Sequence, residues 1–134
     1  MLKLPENKEY IETSCYYTWM GSDEICRTKV KDGAVVRKKE ARENSEAVLS
    51  FNQGKKYPIL VDATKIRSID KEARDFFSLQ NRPSPINAIG IIIESPISRV
   101  IGNFFIGLNK SRVPNKLFTS EKPAIEWLSD YIEE

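Results

Sequence analysis

The amino-acid sequence predicts an α/β fold with the element order β-β-α-β-α-β-α-β-α, a mostly parallel sheet and a hairpin at its N-terminal edge. Two runs rich in β-branched and aromatic residues, Tyr10 to Met20 and Ile25 to Val30, flank the turn Gly21-Ser22-Asp23, which is typical of a hairpin. The segment Ala88 to Ile93 has no polar residue, which indicates a strand covered on both faces. Strands after the hairpin alternate with helical patterns, which indicates parallel β-α-β units.

The middle of the chain contains two predicted helices around one predicted strand. The first helix extends from about Arg37 to Asn52 and ends at Gly54, because glycine readily adopts the left-handed conformation of a helix cap. Tyr57 to Asp62 is a short apolar run that predicts a buried strand. Asp70 is the predicted N-cap of the next helix. The buried faces are predicted to contain Ala41, Asn44, Val48 and Phe51 in the first helix, and Ala73, Phe76 and Phe77 in the second.

The last part of the chain predicts two further strand-helix pairs. A strand from Ile86 to Glu94 precedes a helix that begins at Pro96, a residue favoured in the first helical position, and ends near Leu108. A short strand near residues 116–118 precedes the last helix. The predicted caps of these helices are Ser95 for the first and Thr119 or Ser120 for the last. Residues expected to be buried include Ile91, Ile92, Phe104 and Trp127, and the inner face of the last helix contains Ala124, Ile125, Trp127 or Leu128, and Ile132.

Length, composition and charge bound the class of protein. A chain of 134 residues with 40% hydrophobic and 30% charged residues fits a single domain over residues 1–134, in which the polar residues 1–8 are expected to form a loose arm. The net charge of +2 argues against a nucleic-acid partner. The longest apolar region, Ile97 to Leu108, is too short for a transmembrane segment, and no secretory signal is recognised, so a cytoplasmic location is expected.

The residue types exclude several kinds of catalytic and metal chemistry. The sequence has no histidine, so Ser-His and Cys-His catalysis cannot operate. Two isolated cysteines, Cys15 and Cys26, cannot form a typical closed zinc site, and neither a metal nor another cofactor is expected. The cysteines could form a disulfide only if the register of the hairpin places them opposite each other.

Two carboxylates define a candidate ligand site at the carboxyl edge of the sheet. Asp62 and Glu94 each end a predicted parallel strand, and ligands of α/β proteins often bind at that edge. The predicted helix N-termini at Asp70 and Ser95 open on the same edge and favour an anion. The alternative is that Asp62 caps a turn and Glu94 is solvated. Since no glycine-rich phosphate loop is present, a nucleotide site is not expected.

Seven basic residues lie around the second strand and the first helix, and could contact an acidic partner or an anionic membrane surface. They are Arg27, Lys29, Lys31, Arg37, Lys38, Lys39 and Arg42. The alternative is an ordinary solvated face balanced by the acidic last helix.

In the hairpin, strand alternation predicts Tyr17 and Trp19 on one face and Tyr10 and Tyr16 on the other.

Several short motifs resemble the STAS domain, the fold of bacterial anti-sigma-factor antagonists. The strand Pro58 to Asp62 followed by Ile69-Asp70, and the strand Ala88 to Glu94 followed by the helix at Pro96, are similar to consecutive strand-helix units of that family. Three motifs resemble an uncharacterised STAS-like family from Bacteroidetes-type bacteria: Ile69 to Arg74, Gly102-Asn103-Phe104-Phe105 and Lys116-Leu117-Phe118. The resemblance covers roughly Tyr10 to Ile132 and implies a STAS-like fold.

One departure from the STAS pattern bears on function. In the antagonists a serine follows the helix-entry aspartate, and its phosphorylation switches binding to an anti-sigma factor. Here Lys71 follows Asp70, and lysine cannot serve as such a switch. The resemblance therefore implies a non-catalytic protein-interaction or regulatory domain that lacks the phosphorylatable serine.

Three functions from different classes follow from the sequence. The first is a non-catalytic domain that binds another protein or a second copy of itself. The second is a small-molecule or lipid carrier with an apolar pocket under the Ile97–Leu108 helix. The third is a carboxylate-dependent enzyme that uses Asp62 and Glu94. The candidate partner-binding residues of the first function are Asp62, Asp70, Lys71, Arg74, Glu94, Arg99, Asn103 and Ile106.

Overall fold

The computed structural model describes residues 1–51, 53–77, 84–94 and 113–133. The predicted helix from Pro96 to Leu108 and its residue Phe104 lie outside these ranges. The described ranges contain the strands β1 (Ile11–Glu12), β2 (Tyr16–Met20), β3 (Cys26–Val30), β4 (Val35–Val36), β5 (Tyr57–Asp62), β6 (Ser68–Ile69), β7 (Ile86–Ile92) and β8 (Asn115–Phe118), and the helices α1 (Lys38–Leu49), α2 (Lys71–Phe77) and α3 (Glu121–Ser129).

Six strands form one mixed sheet in the order β1-β2-β3-β5-β7-β8. The pairs β1–β2 and β2–β3 are antiparallel. The three pairs β3–β5, β5–β7 and β7–β8 are parallel. The predicted α/β class, the mostly parallel sheet and the N-terminal hairpin are therefore confirmed.

A second, two-stranded sheet was not predicted from the sequence. β4 and β6 pair in parallel, with Val35 opposite Ser68 and Val36 opposite Ile69. Strands of two residues are too short to show the alternation that identifies a strand in a sequence. This small sheet connects the segment before α1 to the entry of α2.

The prediction of one continuous strand from Tyr10 to Met20 is wrong, because the chain reverses direction between β1 and β2. The backbone N–H of Thr13 donates to the carbonyl oxygen of Tyr16 at 2.9 Å and closes this turn. Strand alternation does not continue through a turn, so Tyr10 lies on the same side of the sheet as Tyr17. Their rings meet edge to face with centroids 5.3 Å apart. The expected pairing of Tyr10 with Tyr16 on one face is thereby corrected.

The large sheet is covered on both faces, which explains why its central strands are almost entirely apolar. In β5, Ile59 and Val61 belong to a first core with α1 and α2, whereas Leu60 belongs to a second core with α3. The first core includes Tyr16, Val36, Ala41, Val48, Ala73, Ile89 and Ile91. The second core consists of Leu2, Trp19, Ile25, Leu60, Ala88, Ile92, Ala124 and Leu128. The predicted burial of Ile91 and Ile92 is confirmed.

Helix α1 buries a polar residue, Asn44, on the face that the sequence predicted. The helix is shorter than expected, Lys38–Leu49, and it ends at Ser50 in a right-handed conformation, so the prediction that Gly54 caps it is wrong, although Gly54 does have a left-handed φ of 86°. Asn44 Oδ1 lies 2.8 Å from the hydroxyl of Thr18 and 2.9 Å from that of Thr28, and all three residues are buried. A buried amide is tolerated when its hydrogen bonds are made inside the protein. The two threonines therefore fix the position of α1 on the hairpin.

Helix α3 packs on the opposite face through Ala124 and Leu128, both fully buried. Trp127 was predicted to be buried, but it is only partly buried. Leu128 points directly at the sheet, and the neighbouring Trp127 therefore points to one side. Its ring packs against Tyr131 at 5.1 Å. A Cβ atom at Gly90 in β7 would lie 3.1 Å from the Leu128 side chain, so the glycine allows α3 to approach the sheet closely. Ser120 occupies the N-cap without the predicted side-chain cap bond.

Candidate functional site

Asp62 lies at the carboxyl end of β5, and its carboxylate is saturated by groups of the protein itself. It is only 1% exposed. Its Oδ2 accepts a hydrogen bond from the backbone N–H of Leu2 at 2.9 Å. Its Oδ1 accepts bonds from the backbone N–H of Thr64 at 3.0 Å and from the Thr64 hydroxyl at 2.6 Å. The side chain thus closes the turn after β5 and anchors the N-terminal segment.

The surroundings of Asp62 favour its ionised form. Burial acts to raise the pKa of this carboxyl group, but hydrogen bonds from the Thr64 hydroxyl and from the backbones of Leu2 and Thr64 outweigh burial and lower the pKa below its usual value. The amino group of Met1, 3.4 Å from Oδ2, acts in the same direction. A carboxylate held in this way accepts hydrogen bonds permanently and is a poor proton donor or base at neutral pH.

The start of the N-terminal segment is docked, which corrects the expectation of a loose arm for residues 1–4, whereas residues 6–8 are exposed. Leu2 is 2% exposed and belongs to the second core. Its carbonyl oxygen accepts a hydrogen bond from Nζ of Lys29 in β3. Leu4 and Tyr10 pack against the same core. The segment lies on the sheet face that carries α3 and covers the part of that face nearest the hairpin.

Asp62 and Glu94 follow the ends of adjacent strands, as predicted, but the two side chains differ in environment. β5 and β7 are adjacent parallel strands, with Asp62 opposite Ile92, and the N–H of Ala63 donates to the Ile92 carbonyl at 2.9 Å. Glu94 follows two residues later and is exposed. Asp62 therefore fits the turn-capping alternative, and its carboxylate is not open to a substrate.

Asp70, Lys71 and Arg74 lie together at the start of α2, on the opposite face of the sheet from Asp62. Oδ1 of Asp70 accepts the backbone N–H of Ala73 at 2.8 Å, which confirms the predicted N-cap. The N–H of Asp70 donates to the carbonyl oxygen of Val36 in β4 at 3.1 Å. The unpredicted small sheet thus fixes the turn that precedes α2. Asp70 and Lys71 are exposed and Arg74 is partly exposed.

The other candidate residues fall outside the part of the chain that the structure describes. Arg99, Asn103 and Ile106 belong to the segment 95–112, and so does the predicted apolar pocket of a carrier. These assignments stay predictions.

The basic residues do not form one surface. Cys26 and Val30 of β3 belong to the first core, so the alternate residues Arg27 and Lys29 point to the opposite face. The exposed basic residues of α1 lie on the first-core side of the sheet. Arg27 forms a two-point pair with Asp23, with distances of 2.7 and 2.8 Å. Because the basic residues lie on two faces of the sheet and Arg27 is paired within the protein, they fit the alternative of an ordinary solvated surface.

The two cysteines are free, buried and far apart. Cys26 lies opposite Met20 at one end of the hairpin, and Cys15 lies at the other end, where its carbonyl oxygen accepts the N–H of Lys31 at 2.8 Å. Burial raises the pKa of the Cys26 thiol to about 12. Burial and the nearby carboxylates Glu40 and Glu43 raise the pKa of Cys15. The register therefore excludes the disulfide that the sequence left open.

We expect both thiols to resist modification in the folded protein. The thiolate is the reactive form, and burial disfavours it in both residues. An aromatic disulfide reagent at pH 8 should react on the order of 100-fold more slowly than with the urea-unfolded chain. The measurement is the absorbance time course in the two states, with a Cys15→Ser variant as the control that assigns the signals. Fast reaction of one thiol in the native state would contradict its burial.

The residues that complete the Asp62 cluster could not be found from the sequence. Leu2 and Lys29 are 60 and 33 positions away from Asp62 in a chain of 134 residues, and only the folded sheet brings them together. The alternation Leu2-Lys3-Leu4 was the one available signal, because it is typical of an extended segment with one apolar side.

In the described ranges, no helix is both long and apolar enough to cross a membrane.

Comparison with known proteins identifies the family and supports the fold. Residues 18–132 match the model of a domain of unknown function, DUF7793, and the chain belongs to this family. It is similar to the crystal structure of an uncharacterised protein of the DUF3478 family with a SpoIIAA-like fold from Shewanella loihica PV-4, with 17% identity and a TM-score of 0.56 over 84% of this chain and 91% of that chain. The chain has no significant match among curated proteins. The STAS-like fold is thereby confirmed, whereas the Bacteroidetes-type assignment stays a prediction.

Proposed function

We propose that this member of the DUF7793 family is a non-catalytic, regulatory protein-interaction domain, which binds another protein at the start of α2. The observation that carries the proposal is the contrast between two groups of polar residues. The buried side chains of Asp62 and Tyr57 are hydrogen-bonded inside the protein, whereas the turn into α2 presents charged side chains on a backbone that hydrogen bonds hold in place. The SpoIIAA-like fold supports the same class of function by analogy.

The buried ionisable groups are held in forms that do not catalyse reactions at neutral pH. Asp62 is ionised and saturated. Burial raises the pKa of Cys26, Tyr16 and Tyr57, so these groups stay protonated. The Tyr57 hydroxyl also donates to the carbonyl oxygen of Val48 at 2.6 Å. A general base needs a pKa near the working pH and access to a substrate, and none of these four groups has both.

The turn into α2 has the properties of a preformed recognition surface. The backbone N–H of Arg67 donates to the carbonyl oxygen of Ala34 at 2.9 Å, and the N–H of Asp70 donates to that of Val36. These bonds order the backbone before a partner binds, which lowers the entropy lost on binding. The exposed side chains of this surface, which we call the α2 entry surface, are Lys65, Arg67, Asp70, Lys71 and Glu72.

Lys71 determines how such binding would be regulated. It occupies the position at which the STAS antagonists have their phosphorylatable serine, and its exposed side chain ends in a positively charged ammonium group. The absence of a serine at this position removes the phosphate switch. We therefore propose that the partner is bound without phosphorylation of this turn, and that a partner with an acidic patch fits the site.

Site-specific photo-crosslinking tests this proposal. A photoreactive amino acid is placed at Lys71 in the full chain, and in a control at Lys122, an exposed residue of α3 on the opposite face of the sheet. Cells that express each variant are irradiated, and the adducts are identified by mass spectrometry. We expect a discrete protein adduct from position 71 that is absent from position 122. The same adducts from both positions, or none from either, would contradict the proposal.

A further inference from the structure

We propose that the N-terminal segment of one copy of the chain also docks on a second copy, which gives an arm-exchanged dimer. The arm is defined as residues 1–4, and the hinge as residues 5–9, which connect the arm to Tyr10 and β1. The arm socket is defined by Asp62, Lys29 and the part of the second core to which Leu2 belongs. In the exchanged dimer each protomer supplies the Leu2 that completes the core of the other.

The arm socket recognises Leu2 at three points. Asp62 accepts the N–H of Leu2 at 2.9 Å, and Lys29 donates to its carbonyl oxygen. The side chain of Leu2 fills the second core, where it is 2% exposed. All three contacts involve residues far from Leu2 in the chain, so none of them requires that the arm and the socket belong to the same copy. An identical arm from a second copy makes the same contacts.

In the part of the chain that the structure describes, the hydrogen bonds of the hinge are all local. The N–H of Lys8 donates to the carbonyl oxygen of Pro5 at 3.1 Å, which reverses the chain, and the N–H of Glu9 donates to the side chain of Asn7 at 3.0 Å. Residues 6–9 are exposed. Pro5, Asn7 and Glu9 line a small cavity beside Trp19 and Met20. Opening of the hinge therefore breaks no hydrogen bond to the body of the domain in the described part of the chain.

The closed hinge contains an unfavourable backbone conformation. Lys8 has φ of 59°, in the left-handed region that residues other than glycine, asparagine and aspartate rarely adopt. Opening of the hinge allows Lys8 to become extended. Exchange of the arms between two copies thus preserves every docking contact of Leu2 and removes this strain. It also loses the high effective concentration that an arm has when it belongs to the same chain as its socket. The dimer is consequently favoured at high protein concentration.

Shortening the hinge tests the proposal. Deletion of Asn7 and Lys8 removes the turn and shortens the hinge by about 7 Å, which disfavours the return of the arm to its own socket. We expect this variant to sediment as a dimer in analytical ultracentrifugation. The matched control carries the same deletion together with Leu2→Asp, which removes the apolar contact, and should be a monomer. A folded monomer from the deletion variant, or a dimer that persists with Leu2→Asp, would overturn the proposal.

If the shortened chain does not fold, the proposal is tested by the dimer fraction of full-length proteins measured over a range of concentrations. The unmodified protein should form a dimer as its concentration approaches the millimolar range, the usual effective concentration of a short tether. Lys8→Gly relieves the strain of the closed hinge and should lower the dimer fraction, and Leu2→Asp should abolish the dimer. A protein that stays monomeric throughout, or a dimer that Leu2→Asp leaves unchanged, would overturn the proposal.

Discussion

Replacement of Leu128 by alanine is expected to lower the free energy of unfolding by about 2–5 kcal/mol, the usual cost of such a change in a core. Leu128 is fully buried and packs from α3 onto Gly90 in the middle of β7. The surrounding sheet cannot collapse into the resulting cavity, because β7 is paired on both sides. The effect therefore includes a cavity term as well as the lost burial. Urea denaturation followed by circular dichroism measures it.

Leu49→Ala is the matched control for this experiment, since it makes the same chemical change at the end of α1. Leu49 is 42% exposed, so its truncation should change the stability by less than about 0.5 kcal/mol. Equal losses from the two variants would mean that α3 does not pack on the sheet through Leu128.

Replacement of Asp62 by alanine is expected to cost about 3 kcal/mol, because it removes the acceptor of several hydrogen bonds to a buried charged group. The backbone N–H groups of Leu2 and Thr64 lose their partner. The arm then keeps the packing of Leu2 and Leu4 and the bond from Lys29, but it loses its bond to Asp62, and we expect the amides of residues 2–4 to exchange hydrogen faster than in the parent. Denaturation and hydrogen exchange on the same samples separate the loss of stability from the release of the arm.

The contribution of Asp62 also has a defined dependence on pH. Its pKa is lower in the folded than in the unfolded chain, where an aspartate has a pKa of about 3.9. Its stabilising effect is therefore fully present above about pH 4 and is lost as the pH falls through the lower folded value. Asp62→Asn should reduce the decline of stability in this acid range, and the control Glu94→Gln, at an exposed position, should not. An unchanged acid profile for Asp62→Asn would contradict the lowered pKa.

The central strands could be predicted from the sequence because both of their faces are buried. In β5 and β7 alternate residues enter two separate cores, so nearly every position is apolar, and such runs are easily recognised. β4 and β6 were missed because two residues cannot show a period. The helical pattern placed either Trp127 or Leu128 on the inner face of the last helix, and the structure shows that the inward direction of α3 is set by Leu128.

The position of Asp62 was predictable, whereas its role was not. The end of an apolar run places an aspartate at the carboxyl edge of a parallel sheet, where either a ligand site or a turn cap is common. The choice between them depends on Leu2, which reaches Asp62 from a distant part of the chain and is itself bound by Lys29. The local cap made by Asp70 was correctly predicted, because its partner Ala73 is three residues away.

The most direct test of the proposed function is the affinity of the protein captured at position 71 for two charge-reversal variants. Lys71→Glu changes the α2 entry surface, and Lys122→Glu makes the same change on the opposite face of the sheet. Isothermal titration calorimetry with the purified partner measures both. We predict that Lys71→Glu weakens binding by about tenfold or more, equivalent to at least about 1.4 kcal/mol, while Lys122→Glu binds like the parent. Equal affinity of the parent and both variants would contradict a partner site at the start of α2.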